Sequence, residues 1–527
     1  MGGQINTMQD IIRYAAENHG ENAAIRYKVK KEIVTKTFCD VKADSEAFSR
    51  ALEAFGMLGK HVAVIGPTTY EWIISYFGTA NSGSVIVPID AQLPAAEVCE
   101  LLNRADIRML VYDSLRKDVA AMAREMCPEV EHFVCMQAEG HLAGEAQAGD
   151  GLEKPMPGQL GEKTREMTWS LHQLLSEHAG SFQCELDPDK MTAILFTSGT
   201  TGKSKGVMLS HRNLTDNAVC LDMKIPAGTV SMTLLPIHHA YCFSMDILKG
   251  LYIGVVICIN DSIMHVSKNL KLFKPEIILL VPMVIESVYK KLKESGGILP
   301  KKVVAKAGLG GNLKTIVSGG AFLPPELVFE LKEYGIQILQ GYGMTECSPV
   351  ISTNLPWETK PGSVGKLLPN CEAKVVDGEL WVKGSSVMLG YYKMPEETKE
   401  TLVDGWLRTG DLGYVDEDGF VFLTGRKKNL IILKNGENVS PEELENEIGK
   451  DPLVMEILVR EKDSVIEAEI FPDLEYAKKK RIKDIPGKLQ EVIDTFNQGL
   501  PAYKKVHSLK IREEEFEKTP SKKIKRF

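Results

Sequence analysis

Several features are missing from this 527-residue sequence, and each absence excludes a class of protein. The longest uninterrupted apolar stretch, Ile277 to Ile285, has nine residues and contains a proline, whereas a membrane-spanning helix needs about 20. Ten cysteines are scattered singly without a C-x-x-C pair, which argues against a disulfide framework or a zinc site. We expect reduced thiols, a cytoplasmic location and, since no basic segment precedes an apolar one at the N-terminus, no secretory signal.

An excess of positive charge is missing as well. The chain has 63 basic and 71 acidic residues, a net charge of −8, whereas a dedicated nucleic-acid binder is more often basic. We therefore expect no nucleic-acid partner and no membrane span. Peripheral membrane contact and the choice between monomer and homodimer stay open. The composition, 44% hydrophobic and 25% charged, is that of an ordinary globular protein.

Charge density divides the chain in two. Charged residues number 95 among the first 428 but 39 among the last 99, where cysteine is absent. A small domain has more surface for its volume, so a larger share of its residues must face water. We therefore predict an N-terminal domain over residues 1–427 and a C-terminal domain over residues 428–527.

Helical and strand patterns alternate along much of the first domain. This alternation predicts an α/β fold with a parallel sheet. The predicted strands are His61–Ile65, Ser84–Pro88, Ile277–Val281, Lys314–Val317 and Ile336–Leu339, and the predicted helices are Met8–Glu17, Tyr70–Ser82 and Glu326–Glu333. After Gly362 the pattern changes to short strands with Asp-Gly turns at Asp377, Asp404 and Asp418, which predicts a β-rich subdomain over about residues 362–425.

The most informative motif runs from Phe196 to Gly206 and reads Phe-Thr-Ser-Gly-Thr-Thr-Gly-Lys-Ser-Lys-Gly. Apolar runs on both sides predict two strands of a hairpin, Ala193–Phe196 and Gly206–Leu209. Four hydroxyls, two flexible glycines and two lysines in one turn favour an anion-binding loop. The loop is not a Walker A motif, because Thr197 stands where that motif requires glycine.

Two further clusters follow predicted strands. Gln340-Gly-Tyr-Gly-Met-Thr-Glu346 comes after Ile336–Leu339, and Ser318-Gly-Gly-Ala321 comes after Lys314–Val317. Ligands of open α/β sheets bind beyond the carboxyl ends of strands. Tyr342 can stack on a base, Thr345 can bond a phosphate, and the carboxylate of Glu346 suits a hard cation such as Mg²⁺.

Together these motifs, with Thr409-Gly-Asp411 and Gly425-Arg-Lys-Lys428, resemble the adenylate-forming superfamily of acyl-CoA synthetases, luciferases and peptide-synthetase adenylation domains. The chain looks most like fatty-acyl-CoA ligases. The resemblance implies a large domain of stacked α/β sheets with the β-rich subdomain, and a small α+β domain that swings about a hinge at Lys428.

The resemblance also implies the chemistry. A carboxylate attacks the α-phosphate of Mg-ATP to give acyl-AMP and pyrophosphate, and the thiol of coenzyme A then displaces AMP. It implies that Lys523, Thr345, Glu346 and His239 are catalytic, that Glu346 holds the metal and that Lys434, Asn435 and Gly436 line the coenzyme A passage. The ATP- or AMP-binding residues it implies are Thr197, Ser198, Gly199, Thr200, Thr201, Gly202, Lys205, Ser318, Gly319, Gly320, Ala321, Gln340, Gly341, Tyr342, Gly343, Met344, Thr345, Asp411 and Arg426.

Two residues depart from the family's pattern. Lys522 replaces the glycine that normally precedes the catalytic lysine, and Ser204 replaces a proline in the anion-binding loop.

The apolar stretch from Ala240 to Ile259 suits the wall of an acyl tunnel or an ordinary core, and Asp246 sits within its predicted helix. The resemblance to fatty-acyl-CoA ligases implies an aliphatic, medium- or long-chain acid as the substrate.

Three alternatives stay open. The first is a ligase that loads an acyl or aryl group onto the phosphopantetheine of a carrier protein. The second is a CoA ligase for aryl or bile acids. The third is a catalytically silent relative that binds nucleotide or acyl groups.

Overall fold

A computed structural model describes residues 5–137, 167–197, 204–295, 297, 299–432, 437–462, 465–518 and 524–526. The chain divides into two compact units. The larger unit comprises Met1–Glu372 and Val382–Leu407, and the smaller unit comprises Ala373–Trp381 and Arg408–Phe527. Within the described residues, none of the helices combines the length and apolar character that a membrane crossing needs.

The α-helices share ordinary amphipathic or buried character. They are α1 (Met8–His19), α2 (Phe38–Ala54), α3 (Tyr70–Asn81), α4 (Ala95–Arg104), α5 (Lys117–Met126), α6 (Leu171–Glu177), α7 (His211–Val219), α8 (Lys249–Ile253), α9 (Val266–Phe273), α10 (Pro282–Ser295), α11 (Lys301–Gly308), α12 (Pro325–Glu333), α13 (Pro395–Thr401), α14 (Pro441–Ile448), α15 (Leu474–Lys480) and α16 (Ile485–Asn497). Short 3₁₀ turns lie at Ser114–Arg116, Ile263–His265, Thr345–Cys347, Lys427–Asn429 and Ala502–Lys504, and a π-helix at Cys242–Leu248.

The strands are mostly short. They are β1 (Ala23–Val29), β2 (Glu32–Thr37), β3 (His61–Ile65), β4 (Val85–Ile89), β5 (Ile107–Tyr112), β6 (His132–Cys135), β7 (Trp169–Ser170), β8 (Met191–Thr197), β9 (Lys205–Ser210), β10 (Val230–Thr233), β11 (Val256–Ile259), β12 (Ile277–Leu280), β13 (Thr315–Ser318), β14 (Gln337–Gly343), β15 (Val350–Thr353), β16 (Lys366–Leu367), β17 (Cys371–Val376), β18 (Glu379–Gly384), β19 (Gly390–Tyr391), β20 (Leu402–Val403), β21 (Trp406–Val415), β22 (Val421–Arg426), β23 (Ile431–Ile432), β24 (Asn438–Val439), β25 (Val454–Lys462), β26 (Val465–Pro472) and β27 (Val506–Ile511).

Two large sheets organise the larger unit. Among the described strands, one sheet has the order β16-β15-β14-β13-β12-β10-β11-β1-β2 and the other has the order β19-β9-β8-β4-β3-β5-β6-β7. Strands β10 to β14 are parallel, as are β3, β4 and β5, which confirms the predicted parallel α/β arrangement. Carboxyl ends of parallel strands meet at one edge, so the Ser318–Ala321 segment and the Gln340–Glu346 motif come together there.

Helices fill the space around these sheets. Helix α3 is buried along its whole length, and its Tyr76 ring stacks at 3.7 Å on Phe243 of the π-helix, which follows β10 in the other sheet. Helices α4 and α5 pack with β3, β4 and β5 in one core cluster. Helices α9 to α12 pack with β10 to β14 in another. The sheets are therefore stacked, as the family resemblance implies.

Local chemistry explains where the elements begin. Helices α1 and α7 each start with a capping box, in which the side chains of Thr7 and Ser210 accept a backbone N–H of the first turn. Helix α12 begins with Pro325, whose fixed φ suits a first helical position, one residue before the predicted start at Glu326. Asp377 and Asp404 adopt positive φ before glycines, so the predicted Asp-Gly turns join β17 to β18 and β20 to β21.

The smaller unit has its own core. Three strands, β25, β26 and β27, carry helices α14, α15 and α16, and buried residues of these elements form one apolar cluster. A further sheet has the order β17-β18-β21-β20, with β22 beside β21. The boundaries between the two units fall inside β17, β18 and β21. This β-rich region agrees with the predicted change of pattern after Gly362.

Candidate active site

The predicted anion-binding loop joins two antiparallel strands. Strands β8 and β9 pair so that Thr197 lies opposite Lys205, and the hydroxyl of Thr197 donates to the carbonyl of Lys205 at 3.4 Å. The hairpin that the sequence predicts is therefore confirmed. The predicted ligands Ser198, Gly199, Thr200, Thr201 and Gly202 lie outside the described residues.

The Gly-Tyr-Gly-Met-Thr-Glu motif was predicted to follow its strand. It instead lies partly within the strand. Strand β14 continues to Gly343 because β15 pairs with it antiparallel, placing Gly341 opposite Thr353. A Cβ on Gly343 would stand 2.0 Å from the carbonyl oxygen of Pro349, so a side chain at 343 would break this close approach. Thr345 and Glu346 then occupy a 3₁₀ turn, with both side chains half-buried.

A tyrosine that sequence reasoning missed connects this turn to the anion-binding hairpin. The hydroxyl of Tyr391 donates to Oε1 of Glu346 at 2.9 Å, and Nζ of Lys205 lies 4.7 Å from the centre of the Tyr391 ring. Burial, then the charge of Glu346, raise the pKa of Tyr391, so this phenol stays protonated. A two-residue strand, β19, places Tyr391 beside β9, and no local sequence pattern signals so short a pairing.

Two buried asparagines, also missed, hold the turn in place. Asn217 of α7 donates to the carbonyl of Val350 at 2.8 Å and accepts the backbone N–H of Val350 at 3.1 Å. Asn213, one turn earlier, donates to the carbonyls of Ser385 and Val387 at 2.7 and 3.0 Å. These residues link segments more than 100 positions apart, so nothing near them in sequence reveals the role.

The arrangement around Glu346 fits a magnesium site shared with phosphate. Among the described residues no group of three His, Cys, Asp or Glu side chains could hold a metal. Mg²⁺ in phosphate-transfer sites is commonly bound by one or two carboxylates together with substrate phosphates and water. Glu346 offers one half-buried carboxylate, next to Thr345 in sequence, and Tyr391 contacts both Glu346 and Lys205, which is consistent with that description.

The Ser318–Ala321 segment leaves the carboxyl end of β13, next to β14. Ser318 is paired with Gln340, and both are buried. A Cβ on Gly319 would lie 3.1 Å from the ring of Tyr241, whose hydroxyl donates to the carbonyl of Val317 at 3.1 Å. Gly319 therefore allows the ring to pack against the backbone, and the structure brings this segment and the Gln340–Glu346 motif to one sheet edge.

The paired histidines differ in environment. His239 is exposed, whereas His238 is largely buried with Nε2 3.7 Å from Asp90. Burial, then the nearby His239, lower the pKa of His238 to about 4. The imidazole of His238 is therefore neutral near pH 7.

The apolar stretch after these histidines is helical, as predicted. It contains the π-helix, with Asp246 fully buried and accepting a bond from Ser231 at 3.2 Å. Burial raises the pKa of Asp246 to about 7. Asp246 is thus a buried polar side chain in a helix whose other buried residues are mostly apolar.

The smaller unit holds the remaining described candidates. Asp411 and Arg426 face each other across β21 and β22, with Nε of Arg426 2.6 Å from Oδ1 of the buried Asp411. Lys428 lies in the 3₁₀ turn after β22, and burial, then the charges of Arg426 and Arg526, lower its pKa. The predicted residues Lys434, Asn435, Gly436 and Lys523 lie outside the described residues.

The described residues flanking Lys523 belong to the smaller unit. Lys518 and Ile524 form an antiparallel bridge, and Arg526 donates to Oε1 of Glu445 at 2.9 Å. Burial raises the pKa of Glu445 to about 7, while Arg526 opposes that rise. The chain is thus fixed on both sides of residues 519–523.

Comparison with known proteins agrees with this fold. The chain is 28% identical over 482 residues to the long-chain-fatty-acid–CoA ligase FadD15 of Mycobacterium bovis, covering 82% of this chain and 77% of that relative. It is 27% identical over 530 residues to the mitochondrial medium-chain acyl-CoA ligase ACSF2 of Rattus norvegicus, covering 94% and 83%.

Solved structures share the architecture. The anthranilate CoA ligase AuaEII in complex with anthranoyl-AMP matches with a TM-score of 0.81 and 22% identity, covering 98% of this chain and 95% of that one. ATP-bound MatB from Rhodopseudomonas palustris matches with a TM-score of 0.79 and 24% identity, covering 98% and 96%.

The stacked sheets, the hydroxyl-rich hairpin and the acidic turn beside it define the class: an adenylate-forming, ATP-binding ligase. The chain belongs to the AMP-binding enzyme family, whose pattern matches residues 12–392 and whose C-terminal-domain pattern matches residues 428–527. It is an AMP-forming acyl-CoA synthetase.

Proposed function

We propose that this enzyme activates an aliphatic, medium- or long-chain carboxylic acid with Mg-ATP and transfers the acyl group to coenzyme A. An oxygen of the carboxylate bonds to the α-phosphorus as the bond to pyrophosphate breaks. The thiol sulfur then bonds to the acyl carbon, and AMP leaves. The observation that carries the proposal is the contact of Glu346 with Tyr391 beside Lys205, because it places a carboxylate and a cation next to the hydroxyl-rich hairpin.

The residues of the larger unit divide the first step among them. Lys205 and the hairpin residues 197–202 hold the phosphates by charge and hydrogen bonds. Tyr342 and the Ser318–Ala321 segment accept the base. Thr345 bonds the α-phosphate, and Glu346 with its hydrogen-bonded Tyr391 holds Mg²⁺, which neutralises phosphate charge when bound.

The smaller unit supplies groups for both steps. Asp411 accepts hydroxyls of the ribose, and Arg426 binds the ribose or α-phosphate. Lys523 stabilises charge as pyrophosphate departs. A rotation about Lys428 then withdraws Lys523 and brings Lys434, Asn435 and Gly436 to the coenzyme A passage.

The proposed class of acid substrate rests on the apolar stretch that follows His239 in the larger unit. From Cys242 to Ile259 most side chains are apolar and buried, which suits an alkyl chain. Relatives named for long-chain and medium-chain fatty acids support this choice. A cytoplasmic location is proposed because the ten cysteines are scattered singly without a C-x-x-C pair, which favours reduced thiols.

A panel of acids tests the proposal. Pyrophosphate release with ATP and Mg²⁺ would be compared for straight-chain acids of increasing length, benzoate, anthranilate and a bile acid. We expect AMP as the nucleotide product and the highest kcat/KM for a medium- or long-chain acid. ADP would overturn the reaction, and an aromatic optimum would overturn the substrate. Comparing free coenzyme A with a phosphopantetheinylated carrier protein identifies the acceptor.

A further inference from the structure

Three helices form a continuous outer layer on the larger unit. Helices α9, α10 and α11 bury residues such as Leu270, Ile285 and Val304 in the core cluster of the strands β10 to β14. A Cβ on Gly310, just after α11, would lie 2.0 Å from the carbonyl oxygen of Leu270 in α9, so the two segments touch. The sides of these helices that face away from the core form one solvent-exposed surface.

This layer is strongly basic in an acidic protein. Residues 266–308 contain nine lysines and three glutamates, a net charge of +6, whereas the whole chain carries −8. All nine lysines are exposed: Lys268, Lys271, Lys274, Lys290, Lys291, Lys293, Lys301, Lys302 and Lys306. We call their shared surface the lysine face.

Some of this charge is neutralised locally, but much of it is not. Lys301 is ion-paired with Glu330 and Glu333 of α12. Among the described residues, no carboxylate pairs with Lys271, Lys291 or Lys306, one lysine from each helix of the layer. The lysine face therefore presents a positive field to solvent.

Large apolar side chains project at or just before the starts of the same three helices. Ile263 and Met264, in the turn before α9, are 85% and 92% exposed, and Leu299, before α11, is 61% exposed. Met283, at the start of α10, is exposed as well. Ile263 and Met283 follow the carboxyl ends of β11 and β12, so they lie toward the sheet edge that carries the candidate site.

We propose that the lysine face, with the projecting Ile263 and Met264, docks the enzyme on a membrane of anionic phospholipid. Lysines attract anionic headgroups, and single apolar side chains insert at the headgroup boundary. The charge is spread over three helices with isolated apolar projections, which suits a lipid surface better than one acidic protein helix. This inference does not depend on the substrate.

Vesicle sedimentation tests the proposal with the full chain and no substrate. Phosphatidylcholine vesicles would be compared with vesicles that also contain phosphatidylglycerol, at low and high salt. We expect at least about tenfold stronger binding to the anionic vesicles, weakened by salt. Lys271→Gln/Lys291→Gln/Lys306→Gln should lower that binding about 100-fold, since each lysine is worth about fivefold near such a surface.

A matched variant separates location from net charge. Lys478→Gln/Lys479→Gln/Lys480→Gln removes three exposed lysines from α15 in the smaller unit and should change binding by less than about threefold. Ile263→Ser/Met264→Ser should weaken binding while pyrophosphate release with a short soluble acid stays unchanged. Unchanged thermal midpoints verify folding.

Equal losses in the two lysine variants would overturn the lysine face as the docking site. No binding to anionic vesicles would overturn membrane docking and redirect the search to an acidic protein partner.

Discussion

An asparagine clamps the backbone of a valine in each unit, but the two clamps differ in reach. In the larger unit, Asn217 bonds both backbone groups of Val350, 133 residues away. In the smaller unit, Asn497 bonds both backbone groups of Val506, nine residues away, at 2.8 and 2.9 Å. Asn217 is buried, whereas Asn497 is half-buried. The clamp of the larger unit thus joins segments that are distant in sequence, while the clamp of the smaller unit joins a helix to the strand that follows it.

The same contrast holds for the candidate ligands. Glu346, Tyr391 and Lys205 come from three separate stretches of the larger unit. Asp411 and Arg426 come from neighbouring strands of one hairpin and meet because the strand register places them opposite each other. Preorganisation in the larger unit therefore depends on packing, and in the smaller unit on register.

The largest expected effect concerns the smaller unit. Lys523→Ala should lower acyl-AMP formation about 10²–10³-fold, because one preorganised charge contact is lost as pyrophosphate departs. Thioester formation from supplied acyl-AMP should be largely spared. Rapid-quench assays of each half-reaction measure this. Lys522→Gly is the control and should be far milder; equal loss in both half-reactions of Lys523→Ala would contradict a lysine that acts in one step.

The second largest effect is expected for Glu346, the proposed metal ligand of the larger unit. Glu346→Gln should lower adenylation about 100-fold and raise the Mg²⁺ concentration needed, because a neutral amide is a poor ligand for a hard cation. Mg²⁺ titrations of pyrophosphate release measure both. Tyr391→Phe keeps the ring over Lys205 and removes the bond to Glu346, so we expect about a tenfold loss. Wild-type rates at saturating Mg²⁺ for Glu346→Gln would refute the assignment.

The asparagine clamps provide a paired test of stability and activity. Asn217→Ala should lower the free energy of unfolding by about 2–3 kcal/mol, because the buried N–H and C=O of Val350 lose their partner. It should also slow adenylation, since Val350 closes the turn that carries Glu346. Asn497→Ala should cost about 1 kcal/mol and leave adenylation intact. Denaturant unfolding measures the stability of both variants, and pyrophosphate release measures their activity. Equal loss of activity in Asn217→Ala and Asn497→Ala would contradict the proposed difference between the two clamps.

The last expected effect is a pH dependence of stability, with no effect on the chemistry of the site. Burial raises the pKa of Asp246 to about 7 from 3.8, so the folded state binds this proton more tightly than the unfolded state. That stabilisation is complete below about pH 4 and is lost as the pH rises to about 7. Between pH 5 and pH 8, the free energy of unfolding of wild type should fall by about 2–3 kcal/mol, and that of Asp246→Asn should not. Denaturant unfolding of both proteins across this range measures the difference; parallel curves would contradict it.

Sequence reasoning succeeded where neighbours in the chain determine structure. The hairpin around residues 197–205 and the Asp-Gly turn at Asp377 follow from alternation and turn chemistry. The predicted strand ended at Leu339 because Gly341 and Gly343 weaken a strand pattern. In the structure, pairing with β15 extends β14 to Gly343. Tyr391 and Asn217 could not be predicted, because their partners lie 45 and 133 residues away.

The segment before β19 has a consequence for insertions and deletions. The backbone N–H of Met388 donates to the carbonyl of Glu346, and that of Leu389 donates to the carbonyl of Met208, so consecutive residues attach to the turn after β14 and to β9. Beyond them, Tyr391 bonds Glu346 whereas the next residue, Tyr392, bonds Asp106. Adding or removing one residue here would exchange the two tyrosines between opposite sides of the strand. Length variation at this point should therefore be selected against, even where substitutions are accepted.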